Sequence, residues 1–317
     1  MIKLLAQRSS SAILVLLGVT IIVFLLVQLV PGDPARAILG NGATDEAVQS
    51  LRQQLGLNEP LMAQYVNYLS GLLTGDLGTS VNLGKPVADV ILPRLGNTLI
   101  LTVAALVISV GLGVPLGLIA ARYQYSIFDR LAMAVSLAGA SLPVYWAALA
   151  AIAVFSLGLN WFPTGGMYNA RMPGGTPDLI NHLILPATIA ALVPLAVIAR
   201  LTRSVVIDTL NQDYIRVLRA SGVSEKSILW KHAGRNVLPP VVGIVGLQVG
   251  YLLGGVIFVE VVFHWPGLGQ QLYTSITAHD LPIIQAGILF IALMFVVINL
   301  LTDLAVAFLD PRGEVAS

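Results

Sequence analysis

The sequence predicts an all-α, polytopic membrane protein with six transmembrane helices and both termini in the cytoplasm. Composition, the length of the apolar runs and the placement of the few basic residues carry that prediction. Of 317 residues, 56% are apolar and only 10% are Asp, Glu, Lys or Arg, against about 25% in an average soluble domain. The mean hydropathy is +0.86. Seventeen basic and 16 acidic side chains are too few to clothe a soluble fold of this size. An ordinary soluble enzyme, a disordered chain and a charged scaffold are thereby excluded. A net charge of +1 supplies no basic field, so no nucleic-acid partner is expected. The chain has no cysteine, which excludes disulfides, thiolate zinc sites and cysteine catalysis.

A helix crossing the hydrocarbon core needs about 20 mostly apolar residues. Six charge-free stretches approach or exceed that length: Ala12 to Val30, Leu95 to Ala121, Leu131 to Phe162, Leu179 to Ala199, Asn236 to Val259 and Leu281 to Thr302. Lys3 and Arg8 precede the first, and Ala35-Arg36-Ala37 resembles a signal-peptidase site. Its length of 19 residues exceeds a signal-peptide core of about 7 to 15, so a retained anchor is expected. The third run ends at Trp161 and Phe162, which suit an interfacial aromatic belt. Pro115, Pro143, Pro186 and Pro194 fall inside predicted spans, where neighbouring groups can satisfy the freed carbonyls. Abundant Gly and Ala favour close helix packing. A β-barrel would instead show alternating segments of about ten residues. The expected layout is an N-terminal transmembrane helix over 1–30 and an external loop region with short helices over 31–94. A five-helix core follows over 95–312, with a cytoplasmic loop at 200–235, then a tail over 313–317.

Orientation follows from counting Lys and Arg in the connections. With the N-terminus inside, the cytoplasmic segments hold Lys3, Arg8, Arg122, Arg130, seven residues from Arg200 to Arg235, and Arg312. That is 12 of the 17 basic residues. The external segments hold Arg36, Arg52, Lys85, Arg94 and Arg171, along with six acids of the first loop: Asp33, Asp45, Glu46, Glu59, Asp76 and Asp89.

Two connections are longer than turns require. In the external one, Thr44 is expected to cap a helix over Asp45 to Leu55 that stops at Gly56, and Pro60 to open a helix to Leu73. It reads equally as a shielding cap and as a docking surface or vestibule wall. In the cytoplasmic one, Asp213 suits an N-cap for a helix from Tyr214, and Gly222 suits its stop. Helical spacing puts Tyr214, Val217, Leu218 and Ser221 on one face, and Arg216 and Arg219 on another. Ser224 can cap a second helix carrying Ile228, Leu229 and Trp230. A basic amphipathic segment of this kind suits an anionic lipid surface. It equally forms a rigid knob for a partner's groove.

Polar residues within the spans are few. Glu260 lies at the outer end of the fifth span, where an ionisable group is costly. It reads first as a hydrogen-bond partner of the Trp265-Pro266-Gly267 turn and second as a substrate gate. Asp303, near the cytoplasmic end of the last span, reads as a structural partner. Gln248 and Asn299 could line a path, but bonding between helices is favoured. His264 and His279 are too sparse to indicate a nickel site, and His182 and His232 read as polar helix-end residues. No catalytic, cofactor-binding or metal-ligating set is found. His-Glu-x-x-His and Gly-x-Ser-x-Gly are both missing.

From Asp213 onward the chain resembles the permease subunits of ABC importers, in particular the dipeptide, oligopeptide, glutathione and nickel branch. The segment is Asp213-Tyr214-Ile215-Arg216-Val217-Leu218-Arg219-Ala220-Ser221-Gly222, continuing through Lys231-His232-Ala233-Gly234-Arg235-Asn236 to Leu238-Pro239-Pro240. Arg216, Val217 and Leu218 stand where the general importer motif has Glu-Ala-Ala, a departure typical of this branch, and Gly222 is retained. Further matches follow in order. They include Pro31-Gly32-Asp33-Pro34, Leu55-Gly56-Leu57 with Pro60, Gly75-Asp76-Leu77-Gly78 with Ser80, and Ser126-Ile127-Phe128-Asp129-Arg130. Beyond these stand Ile184-Leu185-Pro186-Ala187, Leu201-Thr202-Arg203-Ser204, Trp265-Pro266-Gly267-Leu268-Gly269, Asn299-Leu300 with Asp303, and Asp310-Pro311-Arg312.

The resemblance implies a type I ABC importer permease in the bacterial inner membrane. It would pair with a second, similar permease, two cytoplasmic ATPase subunits and an external substrate-binding protein. The residues from Asp213 to Gly222 would couple it to an ATPase subunit. ATP and magnesium would belong to those partners, because this chain has no Gly-x4-Gly-Lys-Ser/Thr loop and is not itself expected to be an enzyme. Peptides, glutathione, nickel chelates and opine-like ligands are the solutes implied. The rival readings are a secondary transporter or channel, which would more often show internal repeats or several buried charges, and a membrane-embedded hydrolase.

Overall fold

The computed structural model describes residues 2–29, 34–40, 42–54, 56–169 and 171–309. Pro31-Gly32-Asp33, Leu55, Asp310-Pro311-Arg312 and the tail 313–317 lie outside the described residues. The described chain is built from helices, with one isolated antiparallel bridge between Thr79 and Pro86. In order these are α1 (Ile2–Leu29), α2 (Pro34–Leu39), α3 (Asp45–Gln54), α4 (Leu61–Thr74), α5 (Val87–Arg122) and α6 (Ile127–Ser141). Then come α7 (Val144–Ala151), extended by a π-helix over Ile152–Gly158, α8 (Gly175–Leu210) and α9 (Asp213–Ala220). Helix α10 (Glu225–Ser227) runs through a π-helical stretch, Ile228–Ala233, into α11 (Gly234–Val262), followed by α12 (Leu268–Thr277) and α13 (Leu281–Leu309).

Four helices among the described residues are long and apolar enough to cross a membrane: α5, α8, the continuous Glu225–Val262 and α13. A fifth span arises only if the bent pair Ile127–Ser141 and Val144–Gly158 counts as one. The third apolar run is therefore not the unbroken helix its length suggests, because the pair bends by 100° at Leu142-Pro143. Leu142 adopts φ −74° and ψ 130°, the extended geometry that a following proline imposes. Pro186, Pro194, Pro239 and Pro240 are accommodated inside α8 and α11. The apolar stretch of α1, Ser10–Leu26, is shorter than the others.

The chain divides into two compact units, one built on Asn97–Gly269 with the end of α13 from Val297, the other on Ile2–Gly96 with Gln270–Val296. Helix α8 is the centre of the first. Its apolar window is 61% buried, against 28% or less in the other long helices. Small side chains make this possible: Ala187, Ala190, Ala191 and Leu185 of α8 join Leu101, Ala105, Ala148, Val256 and Val259 in one core. Gly113 and Gly117 on α5 let its backbone meet α8. A Cβ at Gly117 would lie 2.5 Å from the Ala199 carbonyl oxygen, the close approach that a small-xxx-small spacing serves. In the same way, Gly246 on α11 leaves room for Thr302 on α13.

In the second unit, α4 packs on α1 and a loop docks on a buried carboxylate. Ser80 Oγ donates a short hydrogen bond to Asp280, and the Asn82 N–H donates to the same carboxylate at 3.2 Å. Asn82 Nδ2 donates to the Ala278 carbonyl at 2.9 Å. The Gly75-Asp76-Leu77-Gly78 turn that leads into this loop is held by the Gly78 N–H donating to Asp76 Oδ1 at 2.9 Å.

Candidate coupling surface and polar sites of the core

Helix α9 begins one residue earlier than the capping pattern suggests. Gln212 is the N-cap, with no side-chain capping bond, and Asp213 is the first helical residue. There it pairs with Arg216 Nη1 at 3.2 Å and lies favourably at the positive end of the helix. The C-terminus closes as a Schellman motif. The Gly222 N–H donates to the Arg219 carbonyl at 3.0 Å and the Val223 N–H to the Leu218 carbonyl at 3.1 Å. Gly222 has φ +78°, a left-handed conformation disfavoured for residues with a Cβ.

The buried face of α9 differs from the expected one. Ile215 is fully buried and packs with Ile228 and Ala233, flanked by Tyr214, Leu218 and Val223. Val217, expected on that face, is 64% exposed. The helix is short, so the tilt that seats Ile215 against the second helix outweighs the face drawn from spacing alone. Ser224 caps that second helix, accepting the Ser227 N–H at 3.4 Å, and the helix continues into the span as α10 and α11. Helix α8 likewise extends through Leu210, which places Arg200 and Arg203 on a helix rather than in a loop.

Arg219 spans the break at Gly222. Its Nε donates to Glu225 Oε1 at 2.6 Å and its Nη2 to Oε2 at 3.2 Å. Hydrogen bonding to Glu225 raises the guanidinium above its usual pKa, so it is cationic at any physiological pH. Asn236 Nδ2 donates to the Tyr214 hydroxyl at 2.9 Å, tying α9 to the start of α11. Arg216, Val217, Arg219, Ala220, Ser221 and Gly222 remain exposed around this braced core. Beside them an open cavity of about 350 Å3 is lined by Arg122, Gln124, Asn211, Arg219 and Glu225, among others. A braced knob whose exposed rim carries the ion pairs Arg216–Asp213 and Arg219–Glu225 is well suited to insertion in a complementary cleft.

Glu260 is fully buried. Thr98 Oγ1 donates to its Oε1 at 2.6 Å, and the Gly269 N–H donates to its Oε2 at 2.7 Å. Thr98 Oγ1 in turn accepts the Leu268 N–H at 2.8 Å. The buried Trp265 donates from Nε1 to the Asn97 carbonyl at 2.9 Å, and Asn97 Nδ2 donates to the Pro266 carbonyl at 2.8 Å. The Trp265-Pro266-Gly267-Leu268-Gly269 turn is thus folded over a carboxylate, against the start of the membrane part of α5. A Cβ on Gly267 would meet Glu260 Oε1 at 2.1 Å, so only glycine fits. Asn97 and Thr98 complete this cluster and were not singled out in the sequence.

A second buried carboxylate organises the opposite part of the same unit. Asp129 accepts Arg203 Nε at 2.5 Å and Nη2 at 2.7 Å, a bidentate pair linking α6 to α8. Asp129 also accepts the Tyr125 N–H at 2.9 Å. Gln248, Asn299 and Asp303 are each half-buried. His264 and His279 occupy exposed positions with positive φ. His182, near the start of α8, is buried with Nδ1 3.1 Å from Asp178 Oδ1. Among the described residues no group of three His, Cys, Asp or Glu could hold a metal ion.

Residues 113–314 match the family described as binding-protein-dependent transport system inner membrane component, and residues 1–102 match its N-terminal companion. The chain is 42% identical over 316 residues to the dipeptide transport system permease protein DppB of Alkalihalophilus pseudofirmus, covering 94% of this chain and 95% of that one. It is also 42% identical over 311 residues to the glutathione transport system permease protein GsiC of Escherichia coli K12, covering 98% of each. A solved chain of the MetNI methionine ABC transporter in inward facing conformations superposes with a TM-score of 0.58 at 16% identity, covering 70% of this chain and 96% of that one. That last likeness concerns the fold.

The chain therefore belongs to the family of inner membrane components of binding-protein-dependent transport systems. It is a multi-pass permease subunit of an ATP-driven ABC importer, not itself an enzyme. The family places it beside ATPase and substrate-binding partners. Membership sets aside the secondary transporter, channel and hydrolase readings.

Proposed function

We propose that this permease moves small peptides or related solutes, with dipeptides and glutathione foremost and nickel chelates or opine-like ligands as further members of the class. The dipeptide and glutathione transport for which the two 42% identical relatives are named supports that range. A second, similar permease completes the pathway, two cytoplasmic ATPase subunits that bind ATP and magnesium power it, and an external binding protein delivers the solute. Both termini are cytoplasmic, and the layout of one anchor helix, an external loop region and a five-helix core with a cytoplasmic loop applies.

The observation that carries the coupling role is the braced knob at α9. Asp213, Tyr214, Arg216, Val217, Leu218, Arg219, Ala220, Ser221 and Gly222 form a short helix with a fixed stop and an exposed rim of ion-paired arginines. Because the second helix is continuous with α11, displacement of the knob by ATPase closure passes directly into a membrane helix. Rigid-body switching between inward-open and outward-open arrangements follows. Transport needs only that the two arrangements differ in solute affinity. Glu260 and Trp265 hold the outer end of α11 to α5, so that end moves as a unit, while Gln248, Asn299 and Asp303 serve contacts between helices.

Replacing Gly222 with Val tests this. The position has φ +78° and open space around it, so the substitution strains the backbone without a clash. In proteoliposomes containing the full complex, ATP hydrolysis is expected to continue while solute uptake falls to background, with membrane insertion intact. Normal uptake by this variant overturns the coupling role.

A further inference from the structure

We infer that α4 is a membrane-embedded amphipathic helix, seated against the outer half of α1 with its apolar stripe on lipid acyl chains. The inference rests on the reading of α1 as a transmembrane helix. No charged residue stands between Glu59 and Asp76, an interval that contains all of α4. None of the residues of α4 is fully buried, although its sequence is largely apolar. Met62, Val66, Leu69 and Leu73 recur at helical spacing along one stripe. Three of them are widely open: Met62 is 73% exposed, Val66 56% and Leu73 86%. An uncovered stripe of this kind marks contact with another apolar phase.

The contacts with α1 fix the depth. Tyr65 Oη lies 2.9 Å from Thr20 Oγ1. The Tyr65 and Tyr68 rings sit 5.4 Å and 5.9 Å from the Phe24 ring. Gln28 Nε2 donates to Gln64 Oε1 at 3.1 Å. The footprint on α1 runs from Thr20 to Gln28, about 12 Å at the helical rise of about 1.5 Å per residue. Thr20 is near the middle of the apolar run from Ala12 to Val30, so α4 occupies the depth of the outer leaflet.

Several of its polar side chains bond within the protein, as a lipid environment favours. Ser70 Oγ donates to the Asn67 carbonyl at 2.8 Å, and Thr74 Oγ1 to the Gly71 carbonyl at 3.0 Å. Asn67 Nδ2 donates to Glu59 Oε2 at 3.1 Å. The Gly75 N–H closes the C-terminus onto the Gly71 and Leu72 carbonyls. Asn67, Ser70 and Thr74 share a second side, about 100° around the helix from the stripe, which turns toward the aqueous interface.

The chain has no native cysteine, so single nitroxide labels report depth directly. Met62→Cys, Val66→Cys and Leu73→Cys would be labelled on the stripe, Asn67→Cys on the polar side and Leu25→Cys on α1 as the in-membrane reference. Each full-length variant is reconstituted with its partner subunits in lipid nanodiscs. Collision with oxygen is then compared with collision with a water-soluble nickel chelate. The oxygen-to-chelate ratio at the three stripe positions is expected to match Leu25→Cys and to exceed Asn67→Cys several-fold. Chelate access at the stripe equal to that at Asn67→Cys overturns the inference in favour of an aqueous surface. Exclusion of both reagents overturns it in favour of a protein partner. Chelate access at Leu25→Cys overturns the reading of α1 itself. The three stripe sites are independent, so misfolding of one variant leaves the test standing.

Discussion

Glu260 shows what a single buried carboxylate requires of its surroundings. Its two oxygens accept from Thr98 Oγ1 and the Gly269 N–H, and Gly267 touches it closely enough to forbid any side chain. Gly267→Ala is therefore expected to destabilise the fold by about 1–3 kcal/mol, the usual range for overpacking a filled site. Thermal melting in detergent reads the loss. Glu260→Ala removes the acceptor and leaves buried donors unpaired, at about 1–3 kcal/mol for each. Glu260→Gln keeps one acceptor oxygen and the side-chain volume, so its melting temperature should fall between those of the parent and Glu260→Ala. If Glu260→Ala melts with the parent, the hydrogen bonds seen here do not hold the turn. The Glu260 side of this arrangement was legible, since a carboxylate at the outer end of an apolar run, followed by Trp265-Pro266-Gly267, asks for local donors. Thr98 was not, because it lies 162 positions away and an ordinary Thr in an apolar run carries no signal of its own.

At the scale of elements, helix crossings rest on small residues and on one ion pair. The Asp129 side chain is 4% exposed and that of Arg203 24%, so the pair joining α6 to α8 is well shielded. Removing one partner of a buried pair costs about 3–5 kcal/mol by leaving a charge uncompensated. Asp129→Asn should approach the lower end of that range, since the partial exposure of Arg203 relieves it. Arg203→Lys should restore little, because an ammonium cannot reproduce the bidentate fork. Folded yield and melting of the three proteins check both. Gly117→Ala is expected to be worse than its size suggests. Its Cβ would lie 2.5 Å from the Ala199 carbonyl oxygen, which is backbone and cannot rotate away. The long helices themselves were readable from run length, because four uncharged stretches coincide with α5, α8, α11 and α13. The break at Pro143 was not, because Pro186 and Pro194 sit just as deep in an apolar run and leave α8 continuous. Proline removes a hydrogen bond in every case, and packing around it decides whether the helix bends. The buried face of α9 escaped for a related reason: eight residues define a stripe only loosely, and the contact of Ile215 with Ile228 sets the rotation.

For the whole molecule, the sparse charges set how the bundle lies in the bilayer, and parity makes this testable. Four long helices and the bent α6–α7 pair would make five crossings, which places the two termini on opposite sides. Adding α1 makes six and returns both to one side. If the bent pair dips in and out without crossing, the parity reverses again, so the termini alone do not define the path. The basic residues argue for six, because 12 of 17 fall in segments that six crossings place together, including all seven from Arg200 to Arg235. Cytoplasmic retention of such clusters is the strongest determinant of orientation. Reporter fusions at four points separate the possibilities. A phosphatase that is active only outside should be active after Lys85 and after Thr176, and inactive after Gln124 and after Asn211. A fluorescent protein that matures only in the cytoplasm should fluoresce when joined to either terminus. Activity after Gln124 would show that α5 runs in the opposite sense. Inactivity after Thr176 together with activity after Asn211 would show that α6 and α7 re-enter rather than cross. Cytoplasmic exposure of Asn211 is the outcome on which coupling depends, since α9 begins two residues beyond it and can meet an ATPase only from that side.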